Sequence, residues 1–149
     1  MFSDFPAVES HLNSLVNYES RSPLGGRDGP KLEPTLEAIS RLGLPISLSH
    51  CVHLAGTKGK GSTVSFLEAL FSPARETLSF TSPHLMSVKE RVRLNGATLD
   101  DRIWCEGFSN IVQKLSESPK IKLTYFESLF VFYLWTSQHL NTDIHLVEA

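Results

Sequence analysis

His50-Cys-Val-His-Leu-Ala55 runs directly into Gly56-Thr-Lys-Gly-Lys-Gly-Ser-Thr63, and Val64, Leu67, Leu70 and Phe71 follow at helical spacing. The first stretch is short and largely apolar and ends at a glycine, which predicts a buried strand. Gly56, Gly59 and Gly61 then let the backbone bend until several N–H groups converge on an anion. The helix that follows, closed by Pro73, adds the positive end of its dipole, so phosphate is the natural ligand. Lys60 supplies a full positive charge to outer phosphates, and Ser62 and Thr63 offer hydroxyls to phosphate or to a magnesium ion. The spacing differs from the usual G-x-x-x-x-G-K-[ST], because Gly61 separates Lys60 from Ser62. The competing reading is a plain Gly/Lys turn that binds nothing; its place between strand and helix favours phosphate. Leu78-Ser-Phe-Thr81 supplies a second strand, and the whole predicts a right-handed βαβ unit.

On the N-terminal side, Phe5, Val8, Leu12, Leu15 and Val16 predict an amphipathic helix over 5–17. Arg21 to Pro30, rich in glycine and proline, reads as a loop. A second helix has Pro34 in its first turn, Leu36, Ile39 and Leu42 on one face, and Gly43 at its stop. On the C-terminal side, Val88 to Leu94 alternates, with Val88, Glu90, Val92 and Leu94 facing one way. Lys89, Arg91 and Arg93 face the other, as a solvated strand face. Asn95-Gly96 then predicts a hairpin returning through Ala97-Thr98-Leu99. Asp100 or Asp101 caps a helix with Ile103, Phe108, Ile111, Val112 and Leu115 in its apolar stripe. A well-buried helix over 125–139 and a strand over 143–148 complete the pattern.

The 149 residues are 41% apolar and 20% charged with a formal net charge of −2. That excludes a disordered or coiled-coil chain and leaves no basic footprint for nucleic acid or a polybasic membrane contact. Cys51 and Cys105 cannot form a disulfide scaffold and lack an adjacent base, so they read as inert thiols in a reducing compartment. The apolar run Leu129 to Trp135 is too short to span a bilayer, and Met1-Phe-Ser-Asp4 lacks a signal core. A soluble, cytoplasmic α/β domain is expected.

Four motifs occur in order: Val52-His-Leu-Ala-Gly-Thr-Lys-Gly-Lys-Gly-Ser-Thr63, Phe80-Thr-Ser-Pro-His-Leu85, Glu90-Arg-Val-Arg-Leu-Asn-Gly96 and Leu123-Thr-Tyr-Phe-Glu127. Together they resemble the folylpolyglutamate synthase and dihydrofolate synthase family, a branch of the Mur ligase superfamily. The resemblance implies an α/β fold, the P-loop NTPase-like central domain of Mur ligases, incomplete here, with a parallel βαβ core, N-terminal helices and a β-hairpin. Residues 1–45 would be a helical preamble with a substrate loop around Asp28, and 46–149 the N-terminal part of the ATP-binding domain. It implies ATP, Mg2+ and small-molecule substrates: the carboxylate of dihydropteroate or of a (poly)glutamyl folate is phosphorylated, and L-glutamate attacks the acyl phosphate.

Position by position, Lys58, Gly59, Lys60, Gly61 and Ser62 match the phosphate loop, with Lys60 the catalytic charge. Ser82 matches a magnesium-holding serine, and Glu148 the acid at the end of the next parallel strand. Thr124, Tyr125, Phe126 and Glu127 match a pterin-binding segment in which the Phe126 ring stacks on the flat pterin. Taken singly, Ser82 would begin a turn, Phe126 would be a core aromatic, His53 a core histidine and His84 a loop residue. Two departures stand out: Lys58 where many members have asparagine, and a Lys60-to-Ser82 connection about one residue short. The family's members run to roughly 400 residues, several domains' worth. The chain is therefore expected to be an N-terminal portion of a ligase that is monomeric when full length. The alternative is a truncated, non-catalytic remnant that at most binds nucleotide or a partner. A generic P-loop kinase or GTPase is disfavoured by the loop spacing.

Overall fold

Cys51–Leu54 (β1), Thr77–Phe80 (β2), Val92–Leu94 (β3), Ala97–Thr98 (β4) and Ile144–Glu148 (β5) form one sheet in the order β1-β5-β2-β3-β4. Among the described residues five α-helices accompany it: Phe5–Ser14 (α1), Leu32–Leu42 (α2), Lys60–Phe71 (α3), Asp101–Ser116 (α4) and Tyr125–His139 (α5). The structure is a computed structural model and describes residues 1–18, 32–118 and 120–148. The described residues of Met1–Pro45 and Asp101–Trp135 make one compact unit, and those of Ile46–Asp100 and Thr136–Ala149 a second.

In the helical unit, Asp4 caps α1 by accepting from the Ala7 N–H at 2.9 Å, and Phe5, Val8 and Leu12 fill the buried face at helical spacing. α4 and α5 are joined by stacked aromatics: Trp104 lies 4.3 Å from Phe132 between ring centroids, and Phe108 lies 4.9 Å from it. Gly107 makes this possible, because a Cβ there would come within 2.5 Å of the Phe132 ring. Trp104 and Trp135, both of the chain's tryptophans, belong to this unit, as do Tyr18, Tyr125 and Tyr133. On α2 the buried residues are Thr35, Ala38, Ile39 and Leu42; Leu36 is exposed, which corrects its expected place on the apolar face.

In the sheet unit, β5 pairs in parallel with β1 on one side and β2 on the other, so the β1–α3–β2 crossover skips a strand that arrives last in sequence. β2 is buried throughout and carries the hairpin β3–β4 on its far edge. The turn is the expected Asn95-Gly96, both residues at positive φ (52° and 77°).

Three expectations change in this unit. β1 forms, but Cys51, Val52 and His53 are exposed, because the strand lies at the sheet edge among the described residues. Val88–Arg91 is a 3-10 turn rather than strand, held by a Ser87/Glu90 capping box. Arg91 and Arg93 do not mark a solvated face. Arg91 is 2% exposed. Arg93 pairs with Glu68 of α3 through Nε and Nη2, each at 3.0 Å. The Ser79 hydroxyl on β2 donates to the same buried carboxylate. This network fixes α3, whose apolar face buries Val64 while Phe66 and Leu70 stay exposed, against the sheet.

Candidate nucleotide-binding site

The carboxyl ends of the parallel strands converge. Leu54 is level with Glu148 across β1–β5, and Phe80 with Val147 across β2–β5. The glycine loop therefore leaves β1, and Ser82 follows β2, at the same edge where β5 ends in Glu148. In open α/β sheets ligands bind at this edge.

Gly59 caps α3 with φ 77°, a left-handed conformation that glycine adopts without strain, and Gly56 has φ 151°. The Thr63 N–H and hydroxyl both donate to the Gly59 carbonyl at 2.9 Å, closing the first helical turn. Helix geometry leaves the N–H groups ahead of that bond, those of Lys60, Gly61 and Ser62, without intrahelical acceptors. The Lys60 ammonium donates to the Gly56 carbonyl at 2.9 Å and lies 3.8 Å from the Glu148 carboxylate. Glu148 is buried, and a Cβ on Gly61 would sit 3.6 Å from its Oε2, so the loop passes directly over the acid. The structure thus brings Lys60, Gly61 and Glu148 together. Lys58 and Ser62 are exposed on the same loop.

Ser82, half-buried, precedes a cis bond to Pro83 in a turn whose far side is tied down. The Glu90 carboxylate accepts from the backbone N–H groups of Leu85, Met86 and Ser87 at 2.8, 2.8 and 2.7 Å. The Leu85, Ser87 and Met86 amides hold this carboxyl below the usual carboxylate range. His84 accepts at Nδ1 from the Arg91 Nε–H at 2.9 Å. These roles of Glu90 and Arg91 were missed from the sequence, although Ser87-x-x-Glu90 is a capping-box signature. His53 is exposed rather than a core residue. His145, the buried histidine of β5, has its pKa lowered by burial and then by the neighbouring His50 charge.

The proposed pterin segment lies in the helical unit. The Thr124 N–H donates to Glu127 Oε2 at 2.6 Å and Glu127 N–H to Thr124 Oγ1 at 3.4 Å, a capping box at the start of α5. Tyr125 is buried and Phe126 is 37% exposed, so Phe126 is not the core aromatic that composition favours for an isolated Phe. The loop around Asp28 lies outside the described residues. Among the described residues no cluster of three or more His, Cys, Asp or Glu side chains is placed to hold a metal, and no helix is long and apolar enough to cross a membrane.

A glycine loop, a lysine and a buried acid meet at the carboxyl edge of a parallel sheet, and the fold defines the class: an α/β protein built on a parallel βαβ core. No family model matches the chain. Among curated proteins it is 36% identical to the dihydrofolate synthase/folylpolyglutamate synthase of Bacillus subtilis, over 100% of this chain and 34% of that protein. It is 40% identical to the mitochondrial folylpolyglutamate synthase of Homo sapiens, over 95% of this chain and 22% of that protein. Among solved structures, E. coli FolC in complex with ADP superposes with a TM-score of 0.79 at 28% identity, over 98% of this chain and 32% of that chain. A bifunctional folylpolyglutamate synthase/dihydrofolate synthase with Mn, AMPPNP and L-glutamate bound gives a TM-score of 0.76 at 30% identity, over 98% and 33%. In sequence and fold the chain matches the folylpolyglutamate synthase/dihydrofolate synthase family. It spans between about a fifth and a third of the length of these relatives, 34% and 22% of the two curated proteins named. The parallel α/β core with a hairpin is the one this family carries over the matched region.

Proposed function

We propose that this chain is the nucleotide-binding portion of an ATP-dependent ligase that joins L-glutamate to the carboxylate of dihydropteroate or a (poly)glutamyl folate. The observation that carries the reading is the convergence of the Gly56–Ser62 loop, Glu148 and Ser82 at one sheet edge. The relatives solved with ADP, and with AMPPNP, Mn and L-glutamate, support it.

Lys60 neutralises charge on the transferring phosphoryl oxygens, and the N–H groups of Lys58 to Ser62 cradle the outer phosphates. The Glu148 carboxylate and the Ser82 hydroxyl are hard oxygen donors of the kind Mg2+ accepts while keeping its remaining waters. The buried acid lies 3.8 Å from the Lys60 ammonium, so the charge that would face a metal sits beside the charge that would face the phosphates. When bound, the metal would offset charge on the nucleotide phosphates. Phe126 offers a ring face for the pterin, with Tyr125 buried behind it and Thr124 and Glu127 setting the start of α5. In this reading residues 1–45 are a helical preamble and 46–149 part of the ATP-binding domain of a cytoplasmic enzyme, monomeric when full length.

Isothermal titration with ATP and Mg2+ tests it. The chain is expected to bind. Lys60→Ala is expected to weaken binding at least about tenfold, the scale of one charged phosphate contact, with an unchanged circular dichroism spectrum. No binding by the unaltered chain overturns the assignment and favours a remnant.

A further inference from the structure

Glu90-Arg-Val-Arg-Leu-Asn-Gly96 is the one motif of the four to which the proposed reaction gives no task. Its first two residues hold the turn that carries Ser82. Glu90 takes the N–H groups of Leu85, Met86 and Ser87 on one carboxylate. Its carbonyl accepts from the Thr81 hydroxyl at 3.1 Å. The Arg91 carbonyl accepts from the Thr81 N–H at 2.9 Å, and its guanidinium reaches His84. Thr81 and His84 to Ser87 are therefore pinned by two adjacent residues, leaving Ser82 and Pro83 to span the fixed points.

The two large apolar side chains of the turn do not do this work in their place. Leu85 and Met86 are 90% and 91% exposed, so their burial contributes almost nothing to ordering the turn. A carboxylate accepting three amides is a strong, directional substitute. We infer that Glu90 is a positioning residue that fixes the Ser82 hydroxyl at the metal side of the nucleotide site. The inference rests on the proposed role of Ser82 and goes beyond it by naming what holds that hydroxyl in place.

The test is Mn2+ binding to the chain in the presence of ATP, beside ATP binding in EDTA, for the unaltered chain and for Glu90→Ala, Glu90→Gln and Ser82→Ala. Glu90→Ala is expected to weaken Mn2+ binding about 10- to 100-fold, the usual cost of losing a group that orients a metal ligand. Affinity for ATP in EDTA should stay unchanged. Glu90→Gln keeps an oxygen for the Met86 and Ser87 amides and should recover part of the loss; it carries the test if the alanine variant does not fold. A parallel fall in metal-free ATP affinity, or Mn2+ affinity unmoved at Glu90 but lost in Ser82→Ala, overturns the positioning role alone. Unchanged Mn2+ affinity in Ser82→Ala overturns the role of Ser82 and this inference with it. No ATP binding by the unaltered chain overturns the nucleotide reading beneath both.

Discussion

The helical unit and the sheet unit solve the same problem with different materials. In the first, Trp104, Phe108 and Phe132 stack across α4 and α5, and a glycine brings the helices close enough to do it. In the second, α3 is held to the sheet by a buried carboxylate shared between Arg93 and Ser79, and the Ser82 turn by another that collects three amides. Aromatic packing tolerates no vacancy but is indifferent to charge. Buried and turn-holding carboxylates fail when a partner or a proton changes. The region that would handle phosphates is thus built from directional polar contacts, while the bulk apolar burial sits in the other unit.

Substitutions sharpen this contrast in descending order of effect. Phe132→Ala should cost the helical unit about 3–5 kcal/mol through the cavity left against Trp104 and Phe108. Tryptophan fluorescence during urea unfolding reads it directly, and a loss well under about 1 kcal/mol would mean the stack is not what holds α4 to α5. Arg93→Leu strands the buried Glu68 carboxylate and should cost the sheet unit about 3 kcal/mol. Amide exchange at β2 and β3 measures it, and adding Glu68→Gln should restore part of the loss. If the double variant is no better than Arg93→Leu, the carboxylate is not the cause.

The smallest effect is a pH dependence. His145 has a pKa below 6.5 in the folded chain, so the unfolded chain takes up its proton first as pH falls. Its contribution is complete above 6.5 and declines as pH drops through that value toward the folded pKa. His145→Asn should flatten the decline seen by exchange at β5. His11, whose pKa burial also lowers, gives the helical unit a decline of the same sign that this variant leaves untouched.

The contrast also explains what could be read from residues alone. α5 was legible because Leu129 to Trp135 is apolar on every face, and the hairpin because Asn95-Gly96 has one good use. The strand–glycine loop–helix junction was legible because its signals are local in sequence. Arg91 and Arg93 were misread because their partners, His84 and Glu68, lie 7 and 25 residues away and no periodicity announces them. The exposure of β1 depends on strand order, which is set by β5, the last strand to arrive. Two capping boxes, Ser87-x-x-Glu90 and Thr124-x-x-Glu127, carry their signature in the sequence itself, the first inside a stretch that also alternates like a strand.

One arrangement of side chains governs how the molecule can be watched. With both tryptophans and all three tyrosines in the helical unit, the sheet unit has no intrinsic fluorophore of either kind. Emission from these side chains therefore originates in the helical unit and not from any residue of the sheet unit itself. Phe66, exposed on α3 and absent from every role above, is a convenient place for a tryptophan reporter, giving the helix that follows the glycine loop an optical signal of its own.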